Sequence, residues 1–163
     1  MSAKLASPRD LFLQLLAQML WAERMLAFEV LPEPQKQVKS ESLAELVEEH
    51  LGETQQHVAR VESAFRAFGA EPASARHAAL AGAKSQHDET ASQITDPQLA
   101  DFFHAGAAAQ TEQIEVAGYR VLLELLETLG RDEVAHLLEE NCKDDDKALE
   151  RLEKLVSKLK PGG

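Results

Sequence analysis

Four long stretches of this chain place an apolar residue every three or four positions, the period of a helix that buries one stripe. Phe12, Leu15, Leu16, Met19, Leu20, Leu26 and Val30 mark the first stripe, and Leu43, Leu46, Val47, Val58, Val61, Phe65 and Phe68 the second. The third stretch runs from Asp96-Pro97 to Leu129, and the fourth starts near Arg131-Asp132 and fades before Pro161. End signals agree with these limits. Ser7-Pro8-Arg9-Asp10 offers a cap, a proline in the first turn and an early acid, while Pro32 and Pro34 stop the first helix. The second helix begins between Gln35 and Ser42, where Ser42-Leu43-Ala44-Glu45 reads as a capping box; Gly69 and Gly130 read as left-handed stops. Residues 70–96 carry the weakest pattern, with Glu71-Pro72 as a break and a short Ala-rich helix expected over about 75–90.

Short connections between the first and second helices, and between the third and fourth, require antiparallel neighbours. The 27-residue link between the second and third is long enough to cross the bundle. Two hairpins joined by one crossover predict an all-α, ferritin-like antiparallel four-helix bundle, with a short extra helix in the crossover. At 163 residues the chain suits one domain, here expected over 1–163 with a frayed tail at 160–163.

Composition narrows the function. With 17 Lys and Arg against 28 Asp and Glu, the formal charge of −11 speaks against phosphate contacts, so no nucleic-acid partner is expected. Cys142 is the single cysteine, which leaves no intramolecular disulfide. The apolar run Leu11–Leu20 contains Gln14 and Gln18 and reads as too short and too polar for a membrane span. A cytoplasmic protein with no membrane partner is the expectation.

The informative positions are those where a buried stripe turns polar. Glu23 lies on the line of Phe12, Leu16, Met19, Leu26 and Val30. His50, Glu53 and His57 follow Leu46 on one side of the second helix, and Glu112, Glu115 and Tyr119 lead into Leu122 and Leu126. In the fourth helix the stripe fails between Leu138 and Ala148, leaving Cys142, and Glu140 and Asp144 fall in the gap. Burying a carboxylate costs roughly several kcal/mol unless it is compensated, and too few Lys or Arg share these stripes. Two bound dications would balance such a set, and an imidazole from His57 suits iron, manganese or zinc better than calcium. Depth supports the first hairpin, with Glu23 nine residues before Pro32 and Glu53 eleven after Ser42. In the second, Glu115 is fifteen before Gly130, Glu140 ten after and Asp144 fourteen after, so Asp144 matches better.

Blander readings stand beside this one. A lone Glu or His near a stripe commonly lies on the surface, Tyr119 can be core with a bonded hydroxyl, and Cys142 a small buried apolar group. The run KDDDK at 143–147 reads as a solvated face, with Asp144 the one member able to turn inward. Glu133-Val134-Ala135-His136 matches Glu-x-x-His but sits too early in its helix to join the other carboxylates.

The segments LWAERML (20–26), HLGETQQHVARVE (50–62), EQIEVAGY (112–119) and LLEENCKDDDKALERL (137–152) resemble the YciE/YciF-type ferritin-like proteins of bacterial stress responses. The likeness runs from Ser7 to Leu155 in order and spacing. It implies a ferritin-like bundle, commonly dimeric, and a start of the second helix near residue 36. By position it implies inward glutamates at Glu23, Glu53, Glu115 and Glu140, with His57 and Asp144 as their partners four residues on. Departures are Gln113 where a His is usual, and Gln56 and Lys143 where the di-iron pattern has histidines. An internal echo fits two similar hairpins: Glu23 with Glu53 and His57, then Glu115 with Glu140 and Asp144.

The resulting expectation is a di-metal carboxylate oxidoreductase, with iron or manganese and zinc as a further candidate, acting on peroxide or oxygen. Glu53 and Glu140 are expected to bridge, Glu23 and Glu115 to bind terminally, His57 and Asp144 to complete the shells, with His50, Glu112 and Tyr119 as supporting groups or extra ligands. The alternative is a non-catalytic helical stress or structural homodimer that keeps a degenerate site.

Overall fold

The structure, a computed structural model, describes residues 4–32 and 38–162. Among the described residues the chain is all-helical, with α1 over Pro8–Met25, α2 over Glu41–Ala67, α3 over Ala78–Ala91, α4 over Pro97–Leu129 and α5 over Asp132–Leu159. Ser7 caps α1 by accepting from the Asp10 amide, and Asp96 caps α4 by accepting from Gln98 and Leu99. At the far end of α4, Gly130 adopts φ 63°, and the amides of Gly130 and Arg131 reach back to Glu127 and Leu126, closing the last turn.

Two local readings need correction. The first helix does not stay α-helical to residue 31: over Leu26–Val30 it widens to a π turn, with the Leu31 amide bonding to Leu26 oxygen at 2.9 Å. The cap of α2 is Ser40, which accepts from Leu43, and not Ser42. Residues 38–40 are non-helical, while Pro34 and positions 36–37, used above to end one helix and start the next, lie outside the described residues.

Cross-helix contacts give the topology. Ser40 and Lys39 at the start of α2 donate their amides to Asp101 early in α4 (2.7 and 3.1 Å), and Arg131 after α4 bonds the Ala67 carbonyl at the end of α2. So α2 and α4 run parallel, and the long link carries the chain back along the bundle, bringing α3 against α4. Glu23 of α1 meets His57 of α2, and Arg151 of α5 meets Glu49 of α2, each pair antiparallel. This is ferritin-like connectivity.

The core has two apolar ends. One gathers Phe12, Leu16, Val61, Phe65, Leu122, Leu126 and Leu138, and the other Met25, Leu43, Leu46, Ala105, Leu152 and Leu155. Between them lies a layer of buried polar side chains. Pro8–Val30 is long and apolar enough to cross a bilayer by length and composition, longer than the Leu11–Leu20 run suggested, but it serves as a core helix with Glu23 buried midway.

A candidate metal centre in the bundle core

Every long helix sends at least one ionisable side chain into this polar layer: Glu23 from α1, His50 and His57 from α2, Glu112 and Glu115 from α4, and Asp145 from α5. Each is at most 5% exposed. Five of them form two triads, Glu23–His57–Asp145 and His50–Glu112–Asp145, in each of which the ligand-type atoms lie within 4.8 Å of one another, and Glu115 is buried outside both. Asp145 belongs to both. His57 Nδ1 is 3.4 Å from Glu23 and 3.5 Å from Asp145, too poorly aligned to donate to either. His50 Nε2 lies 3.0 Å from Glu112, and its Nδ1 lies 3.3 Å from Glu53.

Hydrogen bonds satisfy only part of the layer. The Tyr119 hydroxyl donates to Glu23 and accepts from the Asn141 amide at 2.9 Å, while the Asn141 oxygen accepts from Arg60 at 3.1 Å. Within the same layer, His57 Nδ1, Glu112 Oε2, Glu115 Oε1 and both Asp145 carboxylate oxygens are buried with no hydrogen-bond partner. Native interiors rarely leave such atoms unmet unless an ion or water binds them. Without a cation, burial holds the Glu115 carboxyl well above its ordinary range, helped by the negative charge of Glu23 and Asp145. Burial raises Asp145 likewise, with Glu23 and Glu112 adding to it, and raises the Tyr119 phenol. For His50 burial works against the charged ring, but Glu112 and Glu53 outweigh it and hold its pKa well above the usual imidazole value.

Four buried carboxylates and two histidines thus share one level of the bundle. Oxygen-rich donors with two imidazoles suit iron, manganese or zinc, and two dications would balance four carboxylates. The residues fit such a group, and the two unpaired Asp145 oxygens, common to both triads, are free to bind it.

The predicted positions divide. Glu23 and His57 lie side by side, Glu115 is buried in the same layer outside the triads, and His50 and Glu112, expected only in support, stand inside them. Glu140 is a correction: its side chain is 62% exposed and reaches toward Arg60 at 3.8 Å, so it cannot bridge within the layer. Glu53 also does not bridge; it is one-third exposed at the rim, against His50. Asp144 lies at the edge, 3.0 Å from Arg60 and 3.3 Å from His57 Nε2, and its neighbour Asp145 takes the inward place. KDDDK is therefore only partly a solvated face. Asp145 and Asn141 are the residues that sequence reasoning missed. Their signal was present: Leu138, Asn141, Asp145, Ala148 and Leu152 keep helical steps, and all are buried. As expected, His136 stays out, with an exposed side chain beside Glu139, and Cys142 is buried.

The comparisons agree with this architecture. A family described as a domain of unknown function (DUF892) matches residues 7–161. YcfI from Rhodopseudomonas palustris is 28% identical, superimposes with a TM-score of 0.90, and the alignment covers 94% of this chain and 97% of that one. The Escherichia coli stress protein YciF is 24% identical with a TM-score of 0.88, covering 95% and 98%. A protein from Xanthomonas campestris shares the fold at 19% identity and a TM-score of 0.74, covering 94% and 93%. No curated protein sequence matches the chain. The chain belongs to the DUF892 family, and the YciE/YciF resemblance read from its motifs is the same grouping.

Proposed function

We propose that this DUF892 chain is a ferritin-like carboxylate protein that holds a pair of divalent ions in its core and acts on peroxide or oxygen in bacterial stress. The observation that carries the reading is Asp145, shared by two triads with both oxygens buried and unbonded. Glu23 and His57 with Asp145, and His50 and Glu112 with Asp145, would hold the ions, and Glu115 is buried in the same layer. Iron or manganese bound there would supply redox change and open positions for peroxide or dioxygen oxygens. Tyr119 keeps a proton directed at Glu23, and the Asn141 amide holds the phenol in that direction. His50 and Glu53 line a shallow groove with Leu46, Glu49, Lys147 and Arg151, so a small solute approaches from the α2–α5 face.

The test is reconstitution with Fe(II) or Mn(II), metal analysis, and peroxide decay or ferrous oxidation followed before and after chelation. About two ions per chain with chelator-sensitive turnover is expected. Protein that stays metal-free and inert after reconstitution removes the reading.

A second reading, a non-catalytic stress or structural homodimer with a vestigial site, draws on the bonds the layer makes by itself, His50 to Glu112 and Tyr119 to Glu23. It expects no metal uptake and no loss of dimerisation on substituting Asp145.

A further inference from the structure

Away from the core, where α3 packs on α4, two histidines close on each other. His87 Nε2 and His104 Nδ1 are 2.8 Å apart. Phe103 stacks on the His87 ring, with centroids 5.3 Å apart and planes inclined by 14°, which fixes the imidazole plane. The other His87 nitrogen, Nδ1, faces Asp88 Oδ1 at 3.1 Å, and Lys84 holds the second Asp88 oxygen at 2.6 Å.

Because a carboxylate only accepts, Asp88 places a proton on His87 Nδ1 and turns the Nε2 lone pair toward His104. A carboxylate behind an imidazole is the arrangement that orients a metal-binding histidine and raises its basicity. His104 Nδ1 therefore donates to His87 Nε2, so two ring nitrogens from different helices face each other at a half-buried spot. An ion taking both would displace that one proton. Asp101, the nearest acid on α4, is committed to the Lys39 and Ser40 amides and does not compete.

We infer that His87 and His104 form a second metal site, outside the bundle core, for a nitrogen-preferring transition dication such as Zn(II), Cu(II) or Ni(II). Two imidazoles discriminate against magnesium and calcium, which require oxygen ligands. Solvent completes the coordination. Leu80 is the buried side chain that seats α3, so an ion here would pin the crossover helix to α4 at a second point. This site is independent of the core reading.

Zinc titration of the full chain against a chromophoric chelator tests it, using His87→Ala, His104→Ala, Asp88→Ala, and exposed His136→Ala as control. The two ligand variants should each lose one zinc equivalent or weaken it at least about tenfold, and Asp88→Ala should weaken it by roughly tenfold. His136→Ala and Asp145→Asn should keep that equivalent, and excess Mg(II) should not displace it. On the unsubstituted protein, Cu(II) should broaden the imidazole NMR signals of His87 and His104, whatever happens in the core. A zinc equivalent that survives both ligand variants, displacement by Mg(II), or no broadening at either histidine overturns the site.

Discussion

Asn141 donates its side-chain amide to the Tyr119 hydroxyl at 2.9 Å, and this one bond sets the direction of the next. The amide nitrogen cannot accept, and its orientation is fixed because the Asn141 oxygen takes Arg60 at 3.1 Å. The phenol must therefore pass its own proton toward Glu23. Tyr119→Phe leaves that buried carboxylate short of its donor. In chelator-treated protein, urea unfolding should show a loss of roughly 1–3 kcal/mol. Addition of metal should recover part of it; an unchanged midpoint would mean Glu23 is satisfied elsewhere.

Asp145 is the shared member of both triads, so it separates metal binding from packing. Asp145→Asn should weaken metal uptake by at least about a hundredfold, since a lost ligand costs no less than a lost supporting bond. The metal-free variant should unfold later than the parent, because a crowded buried charge has gone. Glu140→Gln, on an exposed side chain, should leave both quantities unchanged. Equilibrium dialysis with elemental analysis, beside urea curves, reads both.

The buried acids Asp145 and Glu115 and the buried His50 give the metal-free core a pH dependence of definite sign. Asp145 and Glu115 have folded pKa values above their ordinary 3.8 and 4.5, so the folded chain binds more protons than the unfolded one as pH rises past those values. His50, raised above 6.5, contributes stability that is full below that value and is lost as pH climbs through its folded pKa. All three make stability fall with rising pH. Glu53, held low by His50, acts oppositely but only around its ordinary 4.5, and is flat above it. Burial lowers His77 and His104 below 6.5, which opposes the fall near that value. Urea midpoints in chelator should therefore drop as pH rises above 6.5 through the folded pKa of His50. Metal affinity should rise over the same interval, because the ligands must shed protons to bind.

Asp101 gives the contrasting case of a buried acid with a structural job. It accepts the Lys39 and Ser40 amides and ties the start of α2 to α4. Asp101→Ala should cost about 2–3 kcal/mol by losing charge-assisted bonds, with metal stoichiometry unaltered. Thermal melts and metal analysis of the same preparation check the two halves of that statement.

Much of the candidate site was legible because a helix stripe is a one-dimensional pattern. Glu23, His57 and Glu115 interrupt runs of apolar residues at the correct spacing, and all three are buried. The fifth helix shows where such reading slips. One residue along a helix turns the side chain by about 100°, so choosing among Asp144, Asp145 and Asp146 needs an accurate phase. Leu138 and Leu152 supply it, and Asp145 stands fifteen residues after Gly130, as Glu115 stands fifteen before. The widened turn at Leu26–Val30 left no such trace, since a π turn depends on which carbonyl the chain meets and not on apolar spacing.

The amino-acid sequence by itself determined the helices, their pairing into two hairpins, and the presence of acids on buried stripes, because period, caps and loop lengths are local properties of the chain. Only the tertiary structure decided which acids meet. Asp144 is drawn to Arg60 while Asp145 turns inward to lie within reach of His50, His57, Glu23 and Glu112. Those distances depend on how α2, α4 and α5 are rotated against one another. That rotation is set by packing across the whole core, which no single stripe records.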